Sequence, residues 1–136
     1  MNFSPYLNFN GNCKEAFEFY AEVLGGEIIV LSTFAEAPPE ADMPPEVSDQ
    51  VMHAQLKVGE QIIMASDAPT TFQPAQGMHI TIGVDTPEEA ERIYEALSEG
   101  GNIIMPMEET FWAQRFAMVT DRFGTPWMVN CDKPIP

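Results

Sequence analysis

Basic side chains are scarce in this chain: six Lys and Arg stand against twenty-one Asp and Glu in 136 residues, a formal charge of −15. That balance repels a phosphate backbone or an anionic bilayer at every approach, so neither nucleic acid nor a membrane is expected as a partner. Long apolar runs are missing as well, since none approaches the ~20 residues that span a bilayer. The stretch Met1 to Asn10 has neither the basic start nor the apolar run of a signal peptide, and a cytoplasmic protein is the expectation. Cysteine is confined to Cys13 and Cys131, without Cys-x-x-Cys spacing, which leaves no zinc knuckle or dithiol motif. A reducing compartment keeps both as thiols; a disulfide joining them is the less favoured alternative. No Gly-x-Gly occurs among the nine glycines, so the Gly-rich first turn of a doubly wound, nucleotide-binding sheet is absent.

What is present is a well-supplied core, with nine Phe and two Trp in a chain of single-domain length, and an internal repeat. Asn12 followed by Glu15 reads as a helix N-cap with its reciprocal box, and the stripe Ala16, Phe17, Tyr20, Val23, Leu24 runs from it to Gly25-Gly26. Thr86-Pro87-Glu88-Glu89 starts a second helix whose stripe Ala90, Ile93, Tyr94, Leu97 runs to Gly100-Gly101. Tyr20 and Tyr94 correspond at an offset of 74, which becomes 75 at the Gly-Gly turns. Each helix follows one short strand, over 5–10 and 78–84. Three more come after each: 27–34, 51–58 and 61–67, then 102–107, 115–120 and 126–131. The chain therefore reads as α+β, a single domain over 1–136 made of two βαβββ modules, about 1–67 and 77–136. The proline-rich, acidic stretch 35–49 is expected to be extended and solvated, and 68–76 joins the halves.

Asn10-Gly11-Asn12-Cys13, Phe19-Tyr20 and Leu24-Gly25-Gly26 on a paired βαβββ chain resemble the vicinal-oxygen-chelate superfamily of glyoxalases, bleomycin-resistance proteins and extradiol dioxygenases. Met64-Ala65-Ser66-Asp67, Thr110-Phe111-Trp112-Ala113 and Thr120-Asp121-Arg122-Phe123-Gly124 narrow the resemblance to its PhnB-like branch, which often carries a demethylubiquinone methyltransferase label. The resemblance implies two mixed sheets curled into a cup, with a metal held by one position on the first and last strand of each module. Counting from the helices and from the Gly59 and Gly124 hairpins puts these positions at Pro5, His79, Met128, and Ile63 or Met64. Only His79 among them suits a hard or borderline ion, because thioethers favour Cu(I). No metal and no other cofactor is expected.

His79 has two readings: a cup-floor imidazole that hydrogen-bonds a ligand oxygen, or a histidine satisfied by neighbouring backbone. By alternation it shares a face with Thr81, while Met78, Ile80, Ile82 and Val84 turn toward the helix. His53 reads as structural. Met128, Met64, Phe111 and Trp112 are candidate apolar walls, the aromatic pair balanced between wall and core filling. Glu108 and Glu109 are adjacent and face opposite ways on a strand, and Asp121 to Gly124 reads as a turn-shaping motif. Cys13 lies in a first helical turn, where a thiol pKa can fall, without a basic partner nearby. No catalytic residue is assigned.

The favoured function is a PhnB-like protein that binds a small molecule in an apolar cup without metal. A metal-dependent lyase or dioxygenase of the superfamily is the alternative, and a methyltransferase the disfavoured third. A homodimer is expected, because each module has open sheet edges, with pairing either within a chain or across two.

Overall fold

Both expected helices form where their stripes place them, α1 over Cys13–Leu24 and α2 over Pro87–Ser98. The structure is a computed structural model describing residues 1–38, 44–68 and 70–134, and the chain falls into two units, Met1–Pro74 and Ala75–Pro136. No helix among the described residues is long and apolar enough to cross a membrane.

The first unit holds β1 (Tyr6–Phe9), α1, β2 (Glu27–Thr33), β3 (Val51–Val58) and β4 (Gln61–Asp67). Its strands lie in the order β1-β4-β3-β2, with β1 parallel to β4 and the other pairs antiparallel. The second unit repeats this with β5 (Ile80–Val84), α2, β6 (Asn102–Glu108), β7 (Ala113–Thr120) and β8 (Pro126–Asp132), in the order β5-β8-β7-β6. Between β2 and β3 the chain makes 3-10 turns at Phe34–Glu36 and Pro45–Val47 rather than the fully extended path expected there. The backbone of Phe34 and Ala35 bonds Gln50 and Ser48, which holds the loop against its own stem. Part of that stretch, 39–43, lies outside the described residues.

One face of each sheet is covered by its helix, and there the two cores differ. In the first unit Phe9, Phe17 and Tyr20 meet ring to ring at 6.1 to 6.4 Å, all fully buried. In the second, Trp127 of β8 is fully buried, as are Leu97, Val119 and Val129, with Ile93 nearly so. Burial of each such side chain is worth about 1.5–3 kcal/mol, which makes these faces the main source of cohesion.

The paired glycines after each helix have different jobs. Gly25 and Gly100 take φ of 69° and 72°, the left-handed turn that stops a helix. Gly26 and Gly101 instead lie against backbone: a Cβ on Gly26 would stand 2.8 Å from the Lys57 carbonyl oxygen, and one on Gly101 would overlap that of Thr120. Helix exit and sheet packing thus both require the dipeptide.

The two helix starts are capped by different means. Thr86 accepts from Glu89 N–H at 3.2 Å, as its sequence pattern indicates. Asn12 makes no side-chain cap, contrary to the expected box. Its place is taken by Asp67 at the end of β4, whose carboxylate accepts from Gly11 N–H at 2.9 Å and Cys13 N–H at 3.1 Å, and from Val51 N–H at 2.8 Å. A tertiary acceptor buried at the crossing of helix and sheet has displaced the local one.

Candidate functional site

The faces opposite the helices carry the side chains that the core does not use. In β8 alternation turns Trp127, Val129 and Cys131 to the helix and leaves Met128 and Asn130 half-buried on the other side. Cross-strand register then builds two rows. Met105, Met118, Met128 and Thr81 stand side by side across β6, β7, β8 and β5, and the Thr81 hydroxyl donates to Met128 Sδ at 3.7 Å. The next row is Glu108, Phe116, Asn130 and Gly83.

Two polar atoms at this sheet are buried without a partner: Asn130 Oδ1 and His79 Nε2. Asn130 spends its amide hydrogens on Asp132 at 2.7 Å, which leaves the carbonyl oxygen unmet. His79 lies one residue ahead of β5, at the parity of Thr81. Along the strand His79 and Gly83, the neighbour of Asn130, are about 13 Å apart at ~3.3 Å per residue. Next to Asn130 there is space, since a Cβ built on Gly83 meets nothing within 4 Å.

Phe111 and Trp112 are not core residues. They are 89% and 42% exposed, carried on the loop that Thr110 shapes by accepting from Ala113 N–H at 3.0 Å. Trp112 packs edge-on against Phe116 at 5.2 Å, and Phe111 against Trp112 at 4.8 Å. The pair therefore extends the apolar surface at the Phe116 end of the second row. Met78, expected on the helix side, is 52% exposed.

Counting from the helices misplaced one position. Three residues separate β1 from α1 but two separate β5 from α2, so the strands correspond at an offset of 75 rather than the 74 of the helices. Pro5 and His79, paired by the helix count, are therefore not counterparts: His79 answers to Ser4, and Thr81 to Tyr6, which pairs with Met64 as Thr81 pairs with Met128. The choice between Ile63 and Met64 also closes: Ile63 is buried on the α1 side and Met64 is on the open one.

The open face of the first sheet is more polar. Gln55, Met64 and Tyr6 form one row. His53, read from sequence as structural, stacks on Tyr6 at 5.8 Å, and its Nε2 lies 3.1 Å from the Gln55 amide nitrogen. Its Nδ1 lies 3.3 Å from the Tyr6 hydroxyl. The signal was available in the alternation of β3, where His53 and Gln55 share a parity opposed to Ala54 and Leu56.

The cysteines are buried free thiols. Burial, and then the charge of Asp67, push the Cys13 thiol up to about 12, the reverse of the lowering a helix start suggests. The donors at the four equivalent strand positions are a phenol, a hydroxyl and two thioethers, and no three His, Cys, Asp or Glu gather among the described residues. This set does not fit a hard or borderline metal.

A family model described as 3-demethylubiquinone-9 3-methyltransferase matches residues 1–130. The Escherichia coli protein YjdN is 36% identical over the whole of this chain and 99% of its own. Among solved structures, protein PA1353 of Pseudomonas aeruginosa superposes with a TM-score of 0.90 at 44% identity, over 98% of this chain and 99% of that one. A glyoxylase/bleomycin resistance protein/dioxygenase domain from Frankia shares the fold with a TM-score of 0.67 at 12% identity, over 98% of each chain. The architecture is that of the vicinal-oxygen-chelate superfamily. The chain belongs to the family that the 3-demethylubiquinone-9 3-methyltransferase model describes. That name is a family description; neither sheet here is the doubly wound parallel one on which S-adenosylmethionine chemistry usually rests.

Proposed function

We propose that the protein binds a small molecule without metal, on the open face of the second sheet. The observation that carries this is the pair of unmet polar atoms, Asn130 Oδ1 and His79 Nε2, flanking a surface of Met118, Met128 and Phe116. Buried polar atoms are normally paired, and a ligand group is one partner that the protein itself need not supply. An apolar body over the thioethers with hydrogen-bonding groups toward Asn130 and His79 fits the surface.

The test is His79→Ala. A half-buried imidazole with an unmet nitrogen supports little of the core, so stability should change by less than about 1 kcal/mol, whereas a satisfied buried histidine would cost about 1–3 kcal/mol. Binding to a panel of small oxygen-bearing compounds, screened by thermal shift, should be lost. A large stability loss with an unchanged ligand response would sink the assignment.

Two further expectations belong to this reading. Elemental analysis of protein purified without chelator should find no stoichiometric zinc, nickel, iron or manganese; about one ion per chain would revive the lyase or dioxygenase alternative. A homodimer is also proposed, because edge strand β6 leaves Ile103 and Ile104 46% and 48% exposed and edge strand β2 leaves Ile29 45% exposed. With a net charge of −15 such an interface must be apolar. Sedimentation giving the mass of one chain at micromolar concentration would refute it.

A further inference from the structure

The unmet oxygen of Asn130 narrows what the second sheet can hold. The Asn130 amide nitrogen lies 2.7 Å from a carboxylate oxygen of Asp132, and an ionised carboxylate only accepts, so the amide cannot be turned the other way round. Oδ1 is therefore a carbonyl oxygen, which also only accepts. Whatever meets it must bring an N–H or O–H donor.

The charges around Asn130 select a cation over a neutral donor. Glu108, Phe116 and Asn130 stand in one row across β6, β7 and β8, which puts Glu108 roughly 10 Å from Asn130 at about 4.8 Å per strand. Glu108 is exposed, and Asp132 adds a second carboxylate beside the Asn130 amide. The basic residues of this unit are engaged elsewhere. Lys133 meets Glu109 at 3.1 Å, Arg115 meets Glu91 of α2 at 3.0 Å, Arg92 meets Glu89 at 2.7 Å, and Arg122 lies over the Phe123 ring. In a chain of net charge −15 this end of the sheet is a place of negative potential. The exposed rings of Phe111 and Trp112 adjoin it through Phe116, and aromatic faces attract cations as well as apolar bodies.

Taking the open face of the second sheet as the binding surface, on which reading this rests, we infer that its ligand is a primary amine bound as the ammonium ion, with an apolar or aromatic body. An ammonium carries three donors, enough for Asn130 Oδ1 and the Glu108 carboxylate together, and charge-assisted bonds are roughly twice as strong as neutral ones. The body lies over Met118 and Met128, whose thioethers adapt to its shape. A hydroxyl at its far end serves His79 Nε2 in either tautomer, because a hydroxyl both donates and accepts. A carboxylate ligand is disfavoured on two counts, having no donor for Asn130 and being repelled by Glu108 and Asp132.

Three compounds of similar size and shape test the class: tyramine, its alcohol analogue tyrosol and its carboxylate analogue phloretate. The NMR signals of the Asn130 side-chain amide and the Trp112 indole read binding at this face. Tyramine should shift both signals saturably, tyrosol should bind about tenfold more weakly, and phloretate more weakly still. Added salt should weaken tyramine and leave tyrosol unchanged. Glu108→Gln, a change at an exposed position, should shrink the preference for tyramine over tyrosol to about threefold or less. Tyrosol or phloretate binding as tightly as tyramine at the same two signals would overturn the amine class and leave the face standing as a binding surface. A preference undiminished in Glu108→Gln would do the same. Tyramine that moves neither signal, or that binds equally well to Gly83→Val, in which the space beside Asn130 is filled, would overturn both the class and the second sheet as the ligand face.

Discussion

Asp67→Ala should cost about 3–5 kcal/mol of stability, because the Cys13 and Val51 amides lose their acceptor in the interior at about 1–3 kcal/mol each, with a smaller loss at Gly11. Asp67 is 4% exposed and ties β4 to both the start of α1 and the start of β3. Asn12 makes no cap in the native arrangement, where its own oxygen is buried without a partner. Asp67→Asn should cost less, as the amide oxygen keeps one or two of the three bonds. Denaturant unfolding measures both variants, and a loss in Asp67→Ala below about 1 kcal/mol would mean that water or Asn12 replaces the carboxylate. A second reading comes with the same variant. The charge of Asp67 is a lesser cause of the raised Cys13 pKa and burial the larger, so the thiol should fall only part of the way from about 12 and remain unreactive near neutral pH.

The repeat made most of this architecture legible in the sequence. Alternation in the strands and stripes in the helices are set by which face meets the core, and the core decides the fold; hence β3 and β4 lie where their patterns put them. What the pattern could not give is register between elements. One extra residue in the β1 to α1 connection moved the counterpart of Thr81 from Leu7 to Tyr6 and unpaired Pro5 from His79, and a connection's length has no periodicity to read. The cap at α1 escaped for a related reason, since Asp67 is 54 residues from Cys13 in sequence. Buried aspartates recur in the second unit, where Asp121 accepts from Phe123 N–H, Thr125 N–H and Trp127 Nε1–H at 2.8 to 3.0 Å; there the turn motif itself announced the role.

The side-chain chemistry of the open faces was only partly readable. Met128 and Met64 stood out as departures from a metal-binding pattern, but Asn130 was invisible, because an unmet carbonyl oxygen depends on where its amide group finds Asp132. His53 and Gln55 share a parity that any alternation count finds, yet their meaning needs Tyr6, which only the parallel pairing of β1 with β4 brings alongside. The two sheets came from one repeat and now differ in what they offer a ligand. The first presents a phenol, an imidazole and an amide, the second a thioether row with an aromatic end.

Gly83→Val should abolish most ligand binding at the second sheet without weakening the fold. Gly83 pairs with Asn130 in register, is exposed, and has open space where a Cβ would project. Glycine inside a strand is a poor choice on backbone grounds, at roughly 0.5–1 kcal/mol relative to alanine, and a β-branched residue suits the pleated surface. The variant should therefore unfold at the same denaturant concentration as the parent, or a higher one. Gly83 is the register neighbour of Asn130, so a ligand seated over Asn130 would meet the added isopropyl group. Overpacking of about 1–3 kcal/mol corresponds to a loss of about five- to 150-fold in affinity for compounds found by the thermal-shift screen. A folded Gly83→Val protein with its ligand response intact would place the ligand elsewhere. His79→Ala is the companion variant at the opposite end of the strand, and a ligand that spans both polar atoms loses binding in both.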